Sequence, residues 1–291
     1  MKSKVTIGVC TRNCESTILK TVESIVAQDY PHELLEVLVV DGCSSDKTVQ
    51  IVKEVLSNSD IKGHIFFENK GLGFARQIVV DNAQGKYIVW VDGDMILPKD
   101  FVKKQVEFME KNPKVGIAKG RYNVIKENSL VAFLEDIEFM ISTRDEKVIT
   151  SGSLGTSGCI YRVKAIRQVR GFDQNIKGAG EDTDAEYRVK TAGWKICISS
   201  AHFYESRRRN WQELWREYFW LGKGAYQFFR KNKKIIDGYK MFPWVLLVAK
   251  IIQTAHAYKF TRKKVVFLLP LHYAFKRIAW FFGFLRAHID I

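Results

Sequence analysis

The residues best placed to do chemistry in this 291-residue chain stand at the end of one apolar run. Ile88-Val89-Trp90-Val91 is followed at once by Asp92-Gly93-Asp94. An uncharged run with two β-branched valines reads as a strand buried on both faces. Burying an unpaired carboxylate is costly. Asp92 and Asp94 therefore belong where the strand leaves the sheet, at its C-terminal edge, which is where open α/β sheets bind ligands. Gly93 lets the backbone turn and a ligand approach. Two hard oxygen donors at i and i+2 suit a divalent cation such as Mn2+ or Mg2+. A solvated acidic turn fits the same three residues.

The elements that must position these acids follow from the patterning. Residues 4–11 read as a first strand ending in Thr11-Arg12-Asn13, and no signal peptide is expected ahead of it. A helix is predicted from Ser16 to Ala27. A second strand, Leu35 to Val40, ends in Asp41; Gly42-Cys43-Ser44-Ser45-Asp46 follows, with Ser45 as the expected cap of a helix to Leu56. A third strand, His64 to Phe67, ends at Glu68-Asn69, and Gly71 and Gly73 open a helix that carries Arg76. The strand before Asp92 is the fourth, and a helix begun by Pro98 ends at Asn112-Pro113. This β-α alternation implies a mostly parallel sheet with helices on both faces. Parallel strands would bring Thr11, Asn13, Asp41 and Asp92 to one rim. No glycine-rich phosphate fingerprint and no Walker lysine is present, so a nucleotide here would rely on side chains and a metal.

The rhythm breaks after a strand at Val115 to Val124 and a helix at Leu130 to Arg144. Ser151 to Gly158 contains seven small residues in eight, either a solvent loop or backbone that something must approach closely. Gly178-Ala179-Gly180 then leads into Glu181-Asp182-Thr183-Asp184 and a helix ending at Ala192. Capping accounts for one of those three acids, not for all.

In order and spacing, these pieces over residues 4 to 205 resemble family 2 glycosyltransferases with the GT-A (nucleotide-diphospho-sugar transferase) fold. The matching stretches are Val39-Val40-Asp41 with Ser44-Ser45-Asp46, Asn69-Lys70-Gly71 with Ala75-Arg76, Asp92-Gly93-Asp94, Gly155-Thr156-Ser157-Gly158, Gly171-Phe172-Asp173, Gly180-Glu181-Asp182 with Arg188, and Gly193-Trp194. The resemblance implies inverting transfer of a sugar from a nucleotide diphosphate, UDP over GDP. It places Asp41 on the nucleobase and Asp92 on the ribose, with Thr11, Asn13, Ser44, Asn69, Arg76 and Gly93 completing the donor site. It makes Asp94 the metal ligand, for Mn2+ or Mg2+, and Asp182 the general base. Gly155, Thr156, Ser157, Glu181 and Arg188 fall on the acceptor side, Arg188 pairing with an acid. Asp182 requires its neighbouring acids to be paired or held apart, since close carboxylates raise each other's pKa. His202 follows the last predicted strand, as a further metal ligand or as a structural residue. Arg207, Arg208 and Arg209 are the nearest cations to neutralise the leaving diphosphate. One departure is Gly42, where many relatives carry a second acid. A polyprenyl-phosphate sugar synthase is the rival enzyme, but a phosphate acceptor needs no base. A non-catalytic nucleotide-sugar-binding protein has no reason to keep Asp92, Asp94 and Asp182 together.

Composition divides the chain near residue 200. The net charge is +14, and residues 201–291 hold 18 Lys/Arg against 5 Asp/Glu together with 22 of the 37 aromatics. The expected division is a catalytic domain over 1–205, with a nucleotide-binding half at 1–113 and an acceptor half at 114–205, and a basic, aromatic helical region over 206–291. Asn210 to Arg230 is amphipathic. Met241 to Tyr258 and Val265 to Leu285 are apolar but interrupted by Lys250, Pro270 and Lys276-Arg277, short of the ~18 uncharged residues of a membrane span. Apolar, aromatic and basic residues together read as helices lying at an anionic membrane surface; packing on the body or on another copy fits too. The charges interleave with aliphatic blocks, which argues against nucleic acid. The acceptor would then be a glycan or lipid-linked molecule, and the location cytoplasmic, peripheral at the inner face of the membrane. Five scattered cysteines without a C-x-x-C pair fit reduced thiols and offer no zinc site.

Overall fold

A computed structural model describes residues 3–124, 129–143, 153–176, 178–231, 254–259 and 261–289. Ser151, Gly152, Lys233, Lys234 and Trp244 lie outside the described residues, as does most of the apolar stretch 241–258. The described residues fall into two compact units, one of 1–123, 143–177 and 181–205, the other of 124–142, 178–180 and 206–291.

The first unit is an eight-stranded mixed sheet with helices on both faces. Its strands are β1 (Val5–Thr11), β2 (Leu35–Asp41), β3 (Lys62–Phe67), β4 (Tyr87–Asp92), β5 (Met95–Ile96), β6 (Val115–Asn123), β7 (Cys159–Arg162) and β8 (Lys195–Glu205). They run in the order β3-β2-β1-β4-β7-β6-β8-β5. β1 to β4 pair in parallel, β7 runs antiparallel between β4 and β6, and β6 and β8 are again parallel. Short apolar runs become central strands here because both faces are covered: every residue of β2 is buried. The helices are α1 (Ile18–Val26), α2 (Thr48–Ser57), α3 (Leu72–Asn82), α4 (Phe101–Lys111), α6 (Val163–Gln168) and α7 (Glu181–Thr191). Trp90, Tyr161 and Phe172 meet in the core beneath α3 and α7, with Trp90 edge-on to the other two rings. The N-cap of α2 is Lys47, not Ser45, and the first helical N–H, that of Thr48, donates to Asp46 Oδ1 at 3.0 Å.

Register sets the rim. Thr11 pairs with Asp41 and Cys10 with Asp92, so the ends of β1, β2 and β4 are level. Since β7 is antiparallel, the loop that enters it reaches the same edge: Gly158 N–H donates to Trp90 O.

The second unit contains α5 (Leu130–Ser142), α8 (Trp211–Lys231) and α9 (Leu269–Ile289). Gly222 and Gly283 let α8 and α9 approach so closely that a Cβ on either would collide with the other helix's backbone. Lys276, expected among the surface cations, is 2% exposed and pairs with Glu135 and Glu138. The helical stretch Lys264–Ile289 is long and apolar enough to cross a membrane, with a mean hydropathy of 1.3 over its best window, although the sequence reading found no such run. Phe267, Leu271, Ile278, Phe282, Leu285 and Ile289 are exposed along it.

Candidate active site

The β1–β2 corner of the rim is locked by its own hydrogen bonds. Asp41 is fully buried. Its Oδ1 accepts the Ser44 N–H at 2.7 Å, and its Oδ2 accepts the Ser44 and Thr11 hydroxyls at 2.6 and 3.0 Å. A carboxylate enclosed in this way braces the turn. Asn13 adopts the left-handed backbone (φ 48) and joins the two turns. Its N–H donates to Ser44 Oγ at 2.8 Å, and its Oδ1 accepts the Ser45 N–H at 2.9 Å. Asn69 stands exposed in the loop after β3, anchored by Glu68, which accepts the Lys70 and Gly71 N–H groups. Gly93 is required because a Cβ there would lie 2.7 Å from Cys14 Sγ.

Arg76 is 4% exposed, so it does not present itself to a donor. Its guanidinium binds Glu181 directly. It also lies 3.9 Å from both Asp92 Oδ1 and Asp182 Oδ2. Three carboxylates from two elements thus share one cation. The Asp92 carboxyl sits above the usual range: burial raises it, the Arg76 charge opposes this, and Glu205 adds to it.

Asp182 occupies the first turn of α7, where the helix dipole favours an anion. Its side chain is 23% exposed. Thr183 donates its N–H to Oδ1 at 2.7 Å, which leaves Oδ2 facing Arg76 and Gly155. Both neighbouring acids are paired: Glu181 with Arg76, and Asp184 with Arg188 at 2.7 Å. Arg188 is thereby a helix-internal partner. Thr156 and Ser157 are buried rather than presented, Ser157 Oγ bonding to Tyr122 and Glu205. Gly155 is the half-exposed member of that loop.

His202 does not join the acids. It lies inside β8, opposite Arg121, and not beyond the strand end. Side chains alternate along a strand, so His202 faces away from Glu205, three residues on. Burial, Arg121 and Lys104 together push its imidazolium below the usual range. Glu205 is the β8 acid whose charge reaches Asp92; the sequence reading missed it. Among the described residues no group of three His, Cys, Asp or Glu side chains is arranged to hold a metal ion. Hard carboxylates at Asp92 and Asp94 still fit Mg2+ or Mn2+, which are commonly held by one or two carboxylates plus substrate phosphates. Arg207, Arg208 and Arg209 belong to the second unit, where Arg207 pairs with Asp136 and Arg208 with Glu217.

A mixed sheet covered by helices, with acids gathered at one rim, is the GT-A architecture of the similar solved structures. A mannosyltransferase, PcManGT of Pyrobaculum calidifontis in complex with GDP-Man and Mn2+, matches with TM-score 0.70 and 19% identity over 100% of this chain and 88% of that one. S. aureus TarS 1-349 in complex with UDP-GlcNAc matches with TM-score 0.58 and 18% identity over 99% and 92%. The profile of glycosyl transferase family 2 matches residues 6–170, and the chain belongs to that family. A curated relative, the poly-beta-1,6-N-acetyl-D-glucosamine synthase of Staphylococcus epidermidis, is 22% identical over 84% of this chain. The chain spans 60% of that relative's length.

Proposed function

We propose that the protein transfers a sugar, with inversion, from a nucleotide diphosphate to a hydroxyl, with Asp182 as the base. The observation that carries this reading is the state of Asp182. It is the one partly exposed acid of the α7 turn, and both acids beside it are neutralised by Arg76 and Arg188. Its Oδ2 is the oxygen that takes the acceptor's proton as the hydroxyl attacks the anomeric carbon from the face opposite the leaving diphosphate. Asp94 would hold a divalent cation, which when bound neutralises charge on the diphosphate as a Lewis acid, with Asp92 beside it toward the ribose. The brace around Asp41 keeps Asn13 and Ser44 in place for the nucleotide, and Glu68 does so for the Asn69 loop. The fold accommodates both nucleotides, since the neighbours above hold UDP-GlcNAc and GDP-Man; we favour UDP. The acceptor is a glycan or lipid-linked molecule. The exposed run Arg262-Lys263-Lys264 is followed closely in sequence by exposed Phe267, Leu268 and Leu271, which supports peripheral binding at an anionic, cytoplasmic membrane face.

The test is turnover of UDP-GlcNAc with Mn2+ in the full chain. Wild type releases UDP, and Asp94→Asn loses the Mn2+-dependent part of UDP binding measured by calorimetry. Equal UDP affinity in both proteins removes Asp94 from the metal site. Cosedimentation with phosphatidylserine vesicles that weakens as salt rises tests the membrane assignment.

A further inference from the structure

A buried charged pair in the sheet unit plays no part in the transfer chemistry just described. Lys119 projects from β6 and is 2% exposed, and Glu186 projects from α7 and is 1% exposed. Both grip the backbone of one residue, Leu154. The Lys119 ammonium donates to the Leu154 carbonyl, and the Glu186 carboxylate accepts the Leu154 N–H at 2.9 Å. Taking charged groups out of water is costly, and a plain solvent loop needs neither of them. Lys119 is further held over the Tyr122 ring, 4.9 Å from its centroid. Glu186 Oε1 has no hydrogen-bond partner among the described residues.

The gripped residue adjoins the proposed base. Glu186 follows Asp182 by four residues, on the same face of α7. Gly155 comes directly after Leu154 with a left-handed backbone (φ +70). A Cβ on Gly155 would lie 3.5 Å from Asp182 Oδ2 and 3.9 Å from Lys119 Nζ. The glycine therefore leaves open the one Asp182 oxygen that Thr183 does not occupy. We propose that Lys119 and Glu186 are positioning residues: they clamp Leu154 and hold Gly155 against Asp182, fixing the acceptor-side wall at the base. This rests on the reading of Asp182 given above.

The experiment has one readout that depends on activity and one that does not. Amide hydrogen exchange of the 153–159 peptide is followed in the full chain for wild type, Lys119→Met, Glu186→Leu and Glu186→Gln. Removing a charge-assisted hydrogen bond should speed Leu154 exchange about tenfold or more in the Met and Leu variants. The Gln carbonyl still accepts the N–H, so Glu186→Gln should stay near wild type. In UDP-GlcNAc hydrolysis with Mn2+, the Met and Leu variants should lose about tenfold or more in kcat with little change in KM, the pattern of a misplaced catalytic group. Gly155→Ala disturbs no buried charge, yet should also lower kcat, because it forces a side chain onto a left-handed backbone beside Asp182. Unchanged exchange in both Lys119→Met and Glu186→Leu, or unchanged kcat in Gly155→Ala, overturns the clamp. A wild type that turns over no sugar nucleotide overturns the base assignment instead, and the exchange result still decides whether the clamp exists.

Discussion

On the β1–β2 side of the rim, the polar groups answer one another locally: Asp41 with Thr11 and Ser44, Asn13 with Ser44 and Ser45. On the α7 side, buried charges do the holding: Arg76 with Glu181, and Lys119 with Glu186 through Leu154. The difference is physical. A carboxylate given three short hydrogen bonds is satisfied and has little left to offer a ligand. Carboxylates that share one arginine, or face one backbone N–H, keep oxygens without a hydrogen-bond partner among the described residues; Glu181 Oε2 and Glu186 Oε1 are two of them. The first side is a preformed cradle, and the second keeps electrostatic stress beside the group that must accept a proton.

The largest effect should come from the proton acceptor. Asp182→Asn keeps the Thr183 hydrogen bond through its remaining oxygen but cannot take a proton. Transfer should fall by a factor on the order of 10²–10⁴ while UDP affinity stays nearly unchanged. A parallel loss of affinity would make Asp182 a binding residue, and the contrast between the two sides would lose its catalytic meaning.

Next in size is the shared arginine. Arg76→Met strands Glu181, a buried acid with one oxygen already unpartnered. Breaking a buried pair on one side costs roughly 3–5 kcal/mol. Urea unfolding should show that loss, and Arg76→Met combined with Glu181→Met should recover much of it. A single variant as stable as wild type means the pair is not holding α7.

Much of this was legible in the sequence. The apolar runs before Thr11, Asp41 and Asp92 become parallel strands whose ends are level, because a buried strand can put polar residues only at its exit. The acidic start of α7 was legible too, from the unusual density of carboxylates there, while the choice of Asp182 among them came from the family resemblance. What stayed hidden depends on distant partners. Arg76 reads as a donor-site cation until Glu181, 105 positions away, is placed against it. Glu205 stands at the end of β8, where it pairs with Met95 of β5, and alternation along β8 turns His202 to the other face. Lys119 did carry a signal, a lone lysine inside the strand-like run Val115 to Tyr122, and such a charge must find a buried partner.

The third effect is a dependence on pH. Glu186 is pushed from its ordinary 4.5 up to about 7, first by burial and then by the Asp182 charge; Leu154 N–H, Ser153 and Lys119 pull the other way. Cys159 and Tyr161 on β7 also lie within reach of its charge. Between those two pH values the folded chain keeps a proton that the unfolded chain releases. The stability from this group is therefore complete below pH 4.5 and is lost as pH rises through 7, on the order of 3 kcal/mol. Glu186→Gln does not titrate. Its stability relative to wild type should grow between pH 5 and pH 8, read from urea midpoints; parallel curves would place the Glu186 proton elsewhere.

The smallest effect is expected in the cradle. Asp41→Asn keeps an oxygen for the Ser44 N–H, and the Thr11 and Ser44 hydroxyls can rotate to accept from the new amide. The exchange removes a charge that was fully enclosed by donors, so the net cost should be about 1 kcal/mol. Calorimetry with UDP then separates two roles for this residue. If Asp41 only braces the turn, UDP affinity changes by less than about threefold, well inside the ~1.4 kcal/mol that a tenfold change represents. If its carboxylate hydrogen-bonds the base directly, the affinity falls by tenfold or more with little change in stability. The second outcome would mean that the turn at residues 41–45 opens to admit the nucleotide, and that the cradle is no more preformed than the α7 side.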